Sequence, residues 1–214
     1  SSLRWLSALT LGWVLRSSPR SLLDNSPLRS LLAQRLDFDN IDRCIASGSL
    51  RAVSVTASGY TSGHSVSFFQ ARAEVASWTR THRFGSRDRL GVEHLMASAA
   101  IPFVFPAVRL HREWFGDGSM RQLAPVSPAI HLGADRILVI GAGRMSERTE
   151  RSRGLSYPSL AQVAGHALSS IFLDGLSVDI ERLQRINRTL SKIPEEVRAE
   201  AGVPLRPIET LVIA

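Results

Sequence analysis

An aspartate stands between two glycines in Trp114-Phe115-Gly116-Asp117-Gly118-Ser119, directly after an apolar, strand-like run. Glycine lifts the steric limits on backbone angles, so a carboxylate flanked by two of them is expected in a sharp turn. Two chemistries fit. One is a strand-ending Asx turn, in which the side chain bonds to backbone two residues on. The other is a general base held at the end of a sheet, where a fixed carboxylate meets the proton it removes.

The other residues of reactive type do not settle the choice. His131 and His166 follow Asp117 in the order of a Ser…Asp…His triad. That triad needs a nucleophile on a Gly-x-Ser-x-Gly turn, and none of the 214 residues forms one. Gly59-Tyr60-Thr61-Ser62-Gly63 has Thr at its centre, and Gly63-His64-Ser65-Val66-Ser67 lacks the final glycine. Both histidines are therefore expected at the surface or as satisfied core residues. Ser98 is expected to pack closely or to bond locally to backbone. Arg121 either neutralises a phosphate or faces water.

Elements must hold these groups in place. Alternating runs at Arg51–Ala57 and His64–Phe69 flank a Gly/Ser/Thr turn and read as a hairpin. Residues 28–36 and Asp39–Ile45 read as short helices, the first opened by Pro27. The small-residue segment Gly91–Ala100 reads as a helix ending before Pro102, after which AVRLHREWF resumes strand-like alternation up to the glycines. Residues 128–133 suit a helix stopped by Gly133. Arg136–Gly141 is a continuous apolar run, the mark of a strand buried on both faces. Residues 142–157 read as an exposed loop, roughly 160–190 as a long helix, and Ile208–Ala214 as another buried strand. Residues 1–18 read as an amphipathic helix, with Trp5 and Trp13 packing into the core or dipping into lipid. Helices alternating with buried strands predict an α/β fold, a largely parallel sheet flanked by helices.

Composition narrows the class. Hydrophobic residues at 44% and charged residues at 21% describe an ordinary globular chain. The single cysteine, Cys44, excludes an internal disulfide framework and fits a reducing compartment. Cys and His residues do not recur at zinc-ligand spacing, so no metal is expected. The net charge of +7 is almost all arginine, with Lys192 the only lysine. Such a balance permits attraction to phosphates of nucleic acid or membrane. The arginines are scattered, however, and the densest run, Arg80–Arg89, lacks the interleaved aromatics of a single-strand binder. It is expected to be a solvated basic loop, and nucleic acid is not expected as a partner.

Three segments now combine: ASAAIPFVFPAV from Ala97, then WFGDGS, then RQLAPVSPAIHLGADRILVIG from Arg121. Together they resemble the patatin-like phospholipase family, whose catalytic aspartate lies in an Asp-Gly-Gly or Asp-Gly-Ala motif after a strand. The hairpin VSVTASGYTSGHSVSFF and the stretch from Leu173-Asp174 to Asn187 are similar to further family segments, so the resemblance covers most of residues 20–214. It implies a serine lipid acyl hydrolase with a Ser–Asp dyad and no cofactor. Asp117 is then the proton acceptor within the motif Gly116, Asp117, Gly118 and Ser119. The substrate would be a phospholipid or other lipid acyl ester, with peripheral membrane contact and a cytoplasmic or membrane-peripheral location as the corresponding expectation. Two departures stand out. Ser119 occupies the third motif position, and the family's glycine-rich oxyanion loop and nucleophile elbow have no counterpart here. The chain opens on Ser1 and its last residues continue a strand, so residues 1–214 are expected to be a partial patatin-like domain, silent by itself. The rival reading is a degenerate, non-catalytic member that binds lipid or a partner through the same cleft.

Overall fold

The computed structural model describes residues 21–141, 176–200, 202 and 205–213. The expected helix over 1–18, the loop over 142–157, residues 160–175 and His166 lie outside the described residues. The chain divides into two compact units, Ser1–Gln122 and Leu123–Ala214.

The first unit is built on a six-stranded sheet. Helices α1 (Ser26–Arg35) and α2 (Asp39–Ala46) precede strands β1 (Ala52–Gly59), β2 (Ser65–Ala71), β3 (Trp78–Arg80) and β4 (Arg83–Arg87). Helix α3 (Val92–Ser98) leads to β5 (Val108–Leu110), β6 (Glu113–Asp117) and a 3-10 turn over Gly118–Arg121. The strand order is β3-β4-β2-β1-β6-β5. The expected hairpin is present: β1 and β2 pair antiparallel from Ala52 opposite Ala71 to Ser58 opposite Ser65.

The α/β class is correct, but the expected largely parallel sheet is not. In this sheet only β2 and β4 run parallel. The pairs β1–β2, β1–β6, β3–β4 and β5–β6 are antiparallel. Short links account for the hairpins β1–β2, β3–β4 and β5–β6, which a few residues close. The antiparallel β1–β6 pair joins strands far apart in the chain, so link length does not set its direction. The basic run Arg80–Arg89, expected as a loop, instead supplies β4 and the end of edge strand β3. Charged edge strands resist pairing with other chains. The Arg87 guanidinium donates to the carbonyls of Ala71, Arg72 and Val75, which satisfies backbone where the sheet ends.

Alternation gives the sheet two different faces. Val53, Val55 and Ala57 of β1 lie beside Val66 and Phe68 of β2, and this face packs with Met96, Ala97, Leu90, Val108, Leu110 and Phe115. Met96, Ala97 and Ala100 are fully buried, so the small residues of α3 let it lie close on the strands. The opposite face carries Thr56 and Ser58 beside Ser67 and Ser65, a layer of hydroxyls in which the three serines are buried and Thr56 half-buried. Thr56 and Ser67 bond to each other at 3.0 Å. Further along, Phe69 stacks on Trp78 with ring centroids 5.2 Å apart.

The second unit contains α4 (Ser127–His131), β7 (Arg136–Ile140), helix α5 described over 176–190, α6 (Glu195–Glu200) and β8 (Glu209–Ile213). Strands β7 and β8 form a parallel pair. Gly133, at φ +98°, stops the turn after α4 as predicted. Val126, Leu183 and Ile208 form the core, with Ile130, Ile137, Val139 and Leu176 packed against it. Neither strand of the pair is buried on both faces as expected, because Arg136, Leu138 and Ile140 of β7 and Glu209, Leu211 and Ile213 of β8 are exposed among the described residues. The Asn187 side chain donates to the Ile208 carbonyl at 2.6 Å and accepts from its N–H at 3.0 Å, which fastens α5 to the entry of β8. Asp179 is buried and accepts from the Val126 N–H at 3.1 Å. Among the described residues no helix is long and apolar enough to cross a membrane.

Candidate active site

Asp117 is the last residue of β6, where it pairs with Ala57 of β1, and it opens the 3-10 turn. Its N–H donates to the Ala100 carbonyl at 2.9 Å. The segment after α3 thus fixes the backbone from behind. One carboxylate oxygen, Oδ1, accepts from the Ser119 N–H at 2.8 Å and from the Ser119 hydroxyl. The other, Oδ2, accepts no hydrogen bond among the described residues. The carboxylate is half-buried. The Asx-turn geometry is therefore present, and it holds one oxygen while leaving its twin open.

The flanking glycines serve a purpose other than the expected one. Neither Gly116 nor Gly118 has a positive φ. What they provide is room. A Cβ on Gly118 would lie far inside van der Waals contact of the Thr56 carbonyl oxygen, and one on Gly116 would sit 2.6 Å from the Tyr60 hydroxyl. The turn bearing Asp117 is pressed flat against β1, and Ser58, beneath it, donates to the Gly118 carbonyl at 3.4 Å.

Tyr60 is a neighbour that the sequence pattern did not reveal. The side chain is half exposed, yet its partial burial pushes the phenol above the ordinary tyrosine range, and the negative charge of Asp117 pushes it further. The phenol accordingly stays protonated across neutral pH. Its turn is shaped by Glu113, whose carboxylate accepts from the N–H groups of Thr61 at 2.9 Å and Ser62 at 2.6 Å. Charge-assisted bonds of this kind are typically worth about 1.5–3 kcal/mol when buried and less at an exposed turn. Glu113→Ala is expected to lower stability by about 1 kcal/mol, read as a fall in chemical-denaturation midpoint, with Glu113→Gln recovering part of it.

The remaining expected residues scatter. Arg121 is exposed at the end of the 3-10 turn, and its guanidinium borders Gly63. Ser98 ends α3. His131 ends α4 in the second unit. The two near-elbow stretches lie on the β1–β2 turn and at the start of β2, and neither has the strand-to-helix geometry that an exposed nucleophile requires.

A second cluster of reactive types lies apart from Asp117. Asp88, His94 and His111 bring ligand-type atoms within 4.8 Å of one another. His111 Nε2 is 2.5 Å and His94 Nε2 3.3 Å from the same Asp88 oxygen. Two imidazoles and a carboxylate are zinc-type donors, but the tautomer opposes that use. His94 Nδ1 accepts the Gly91 N–H at 3.1 Å, as a capping residue of α3. Its proton therefore belongs on Nε2, which then donates to Asp88 and lacks the lone pair a metal needs. The arrangement is a proton-held clasp joining the β5–β6 turn to the start of α3.

Burial pushes the Asp88 carboxyl up, yet hydrogen bonds from His111, the Arg89 N–H and His94, with the His111 charge, outweigh it. The net result holds the group below its ordinary value. A carboxyl depressed in the folded state stabilises the fold above its unfolded pKa, about 3.9, and that contribution is lost as pH falls through the folded value. Melting temperature should therefore drop more steeply below about pH 4 in the wild type than in Asp88→Asn. Parallel curves would refute the clasp.

A family model of patatin-like phospholipase matches residues 3–130. That span covers the first-unit sheet, the Asp117 turn and all but the last residue of α4. The chain belongs to the patatin-like phospholipase family, a lipid acyl hydrolase family. No curated protein and no solved structure matches it.

Proposed function

We propose that the protein is a serine acyl hydrolase acting on phospholipids or related lipid esters, with Asp117 as the proton acceptor of a Ser–Asp dyad. The observation that supports this most directly is the split carboxylate. Oδ1 is anchored by Ser119, while Oδ2 is open among the described residues at the end of a strand. A serine hydroxyl is a weak nucleophile unless a base takes its proton during attack. In the proposed reaction Asp117 removes that proton as the serine oxygen adds to the ester carbonyl. It returns the proton to the departing alcohol, then deprotonates the water that attacks the acyl-serine, and passes that proton to the serine oxygen as the fatty acid is freed. The serine lies outside these 214 residues, since none of them forms the Gly-x-Ser-x-Gly elbow. No cofactor takes part in this scheme.

The missing elbow also motivates a second reading, a non-catalytic member that binds lipid or a protein partner through the same cleft. Fatty-acid release from phospholipid vesicles by the natural protein separates the two. Turnover that a serine-directed phosphonate abolishes is the expected result. Vesicle binding without release favours the binder. The 214-residue chain alone should neither turn over a short-chain ester nor take up the phosphonate, and labelling of it would reject the placement of the serine.

A further inference from the structure

We propose that Ser119 is a positioning residue for the base, whose hydroxyl locks the Asp117 carboxylate so that Oδ2 is the oxygen that receives the proton. The inference rests on the reading of Asp117 as the base, and it names what orients that base. The residue is also a departure of this sequence, since the family motif has Gly or Ala at this place.

A carboxylate at the end of a strand can turn about its Cβ–Cγ bond, and its two oxygens exchange places unless something distinguishes them. Here the distinction is local. The Ser119 N–H, 2.8 Å away, and the Ser119 Oγ both donate to Oδ1. Ser119 is in turn held by the 3-10 turn, with its carbonyl accepting from the Gln122 N–H at 3.4 Å. The turn cannot lift, because Gly118 lies against the Thr56 carbonyl. From the other side the Asp117 N–H is tied to Ala100. Backbone and Oδ1 are thus fixed from separate directions, and the lone pairs of Oδ2 are left for an incoming hydroxyl. A glycine or alanine would keep the N–H bond but surrender the hydroxyl, leaving a single bond to set the plane of the group. Ser119 does not act as a nucleophile in this arrangement. Its oxygen is spent on the carboxylate that it orients, and its proton points to Oδ1.

Two measurements test the proposal together. Crystal structures of the full chain should show one carboxylate orientation in the wild type and in Ser119→Thr, and a rotated or divided one in Ser119→Ala. An unchanged orientation in Ser119→Ala overturns the proposal, and this arm needs no activity. In the natural protein, Ser119→Ala should lower kcat for ester hydrolysis about 10- to 100-fold with KM little changed, as expected for misorientation of a reacting group. Ser119→Thr, which keeps the hydroxyl, should restore most of that loss. Wild-type kcat in Ser119→Ala beside an inactive Asp117→Asn overturns the positioning role alone. Full activity in Asp117→Asn rejects the base assignment itself.

Discussion

Asp117→Asn in the natural protein is expected to lower kcat for ester hydrolysis about 10²- to 10⁴-fold, the range a general base contributes. The amide is nearly the same size as the carboxylate, and its oxygen can still accept from the Ser119 N–H and hydroxyl. The backbone N–H bond to Ala100 and the pairing with Ala57 do not involve the side chain. Folding should therefore be retained, with a melting temperature within a few degrees of the wild type. What disappears is a group able to take a proton, because an amide nitrogen has no basic lone pair at neutral pH. KM should change little, since the scheme gives Asp117 no contact with the bound lipid before reaction. A spectroscopic companion needs no substrate. Tyr60 is one of two tyrosines, and its phenol is raised first by burial and second by the charge of Asp117. Removing that charge should move one tyrosine titration, followed by ultraviolet absorbance, toward lower pH while the burial effect persists. Retained turnover would end the assignment of the base, and an unmoved titration would show that the two side chains do not face each other.

The parts of this site that could be read in advance are those in which chemistry is local in sequence. Asp117 announced itself because its turn, its cap and its glycines lie within six consecutive residues. The β1–β2 hairpin was legible for the same reason: Val53, Val55 and Ala57 alternate with Ser54, Thr56 and Ser58, so one face is apolar and the other hydroxylic. The meaning of the glycines was not legible. Nothing near Gly118 in sequence indicates that the carbonyl of Thr56 will lie against it, because strand pairing decides that. Tyr60 and Glu113 were hidden likewise, being 57 and 4 residues from Asp117 yet brought together by the pairing of β1 with β6. The clasp of Asp88, His94 and His111 draws on a loop, a helix and a hairpin turn, with no spacing that a motif could encode. Sheet direction failed for a related reason. Apolar runs specify burial but not direction; short links make hairpins of β1–β2, β3–β4 and β5–β6, while the β1–β6 pairing joins strands far apart in the chain and no local signal gives its direction.

Gly118→Ala should be the most damaging small substitution at the turn. One methyl group would have to occupy space already held by the carbonyl oxygen of Thr56, with the Thr56 carbonyl carbon 2.8 Å away. A flexible side chain could swing aside, but this obstacle is backbone, and β1 is paired on one edge with β2 and on the other with β6. Relief must come from lifting the 3-10 turn, which opens the buried hydroxyl layer under it and breaks the Ser58 bond to the Gly118 carbonyl. Overpacking of this kind costs about 1–3 kcal/mol and more where nothing can move, so a loss of about 3 kcal/mol is expected. For a chain of this size that corresponds to a melting temperature lower by about 6–12 °C. Gly91→Ala is the matching control, because a Cβ there meets nothing within 4 Å and φ is −155°, which any residue adopts. It should cost about 1 kcal/mol or less, the worth of a helix-capping position. The two variants also differ in what they do to Asp117. Lifting the turn carries Ser119 away from Asp117, so Gly118→Ala should weaken catalysis in the natural protein even at temperatures where it remains folded, whereas Gly91→Ala should leave kcat unchanged. Equal stability of the two variants would mean that Gly118 does not press against β1, and the proposed base would lose the support that holds it in place.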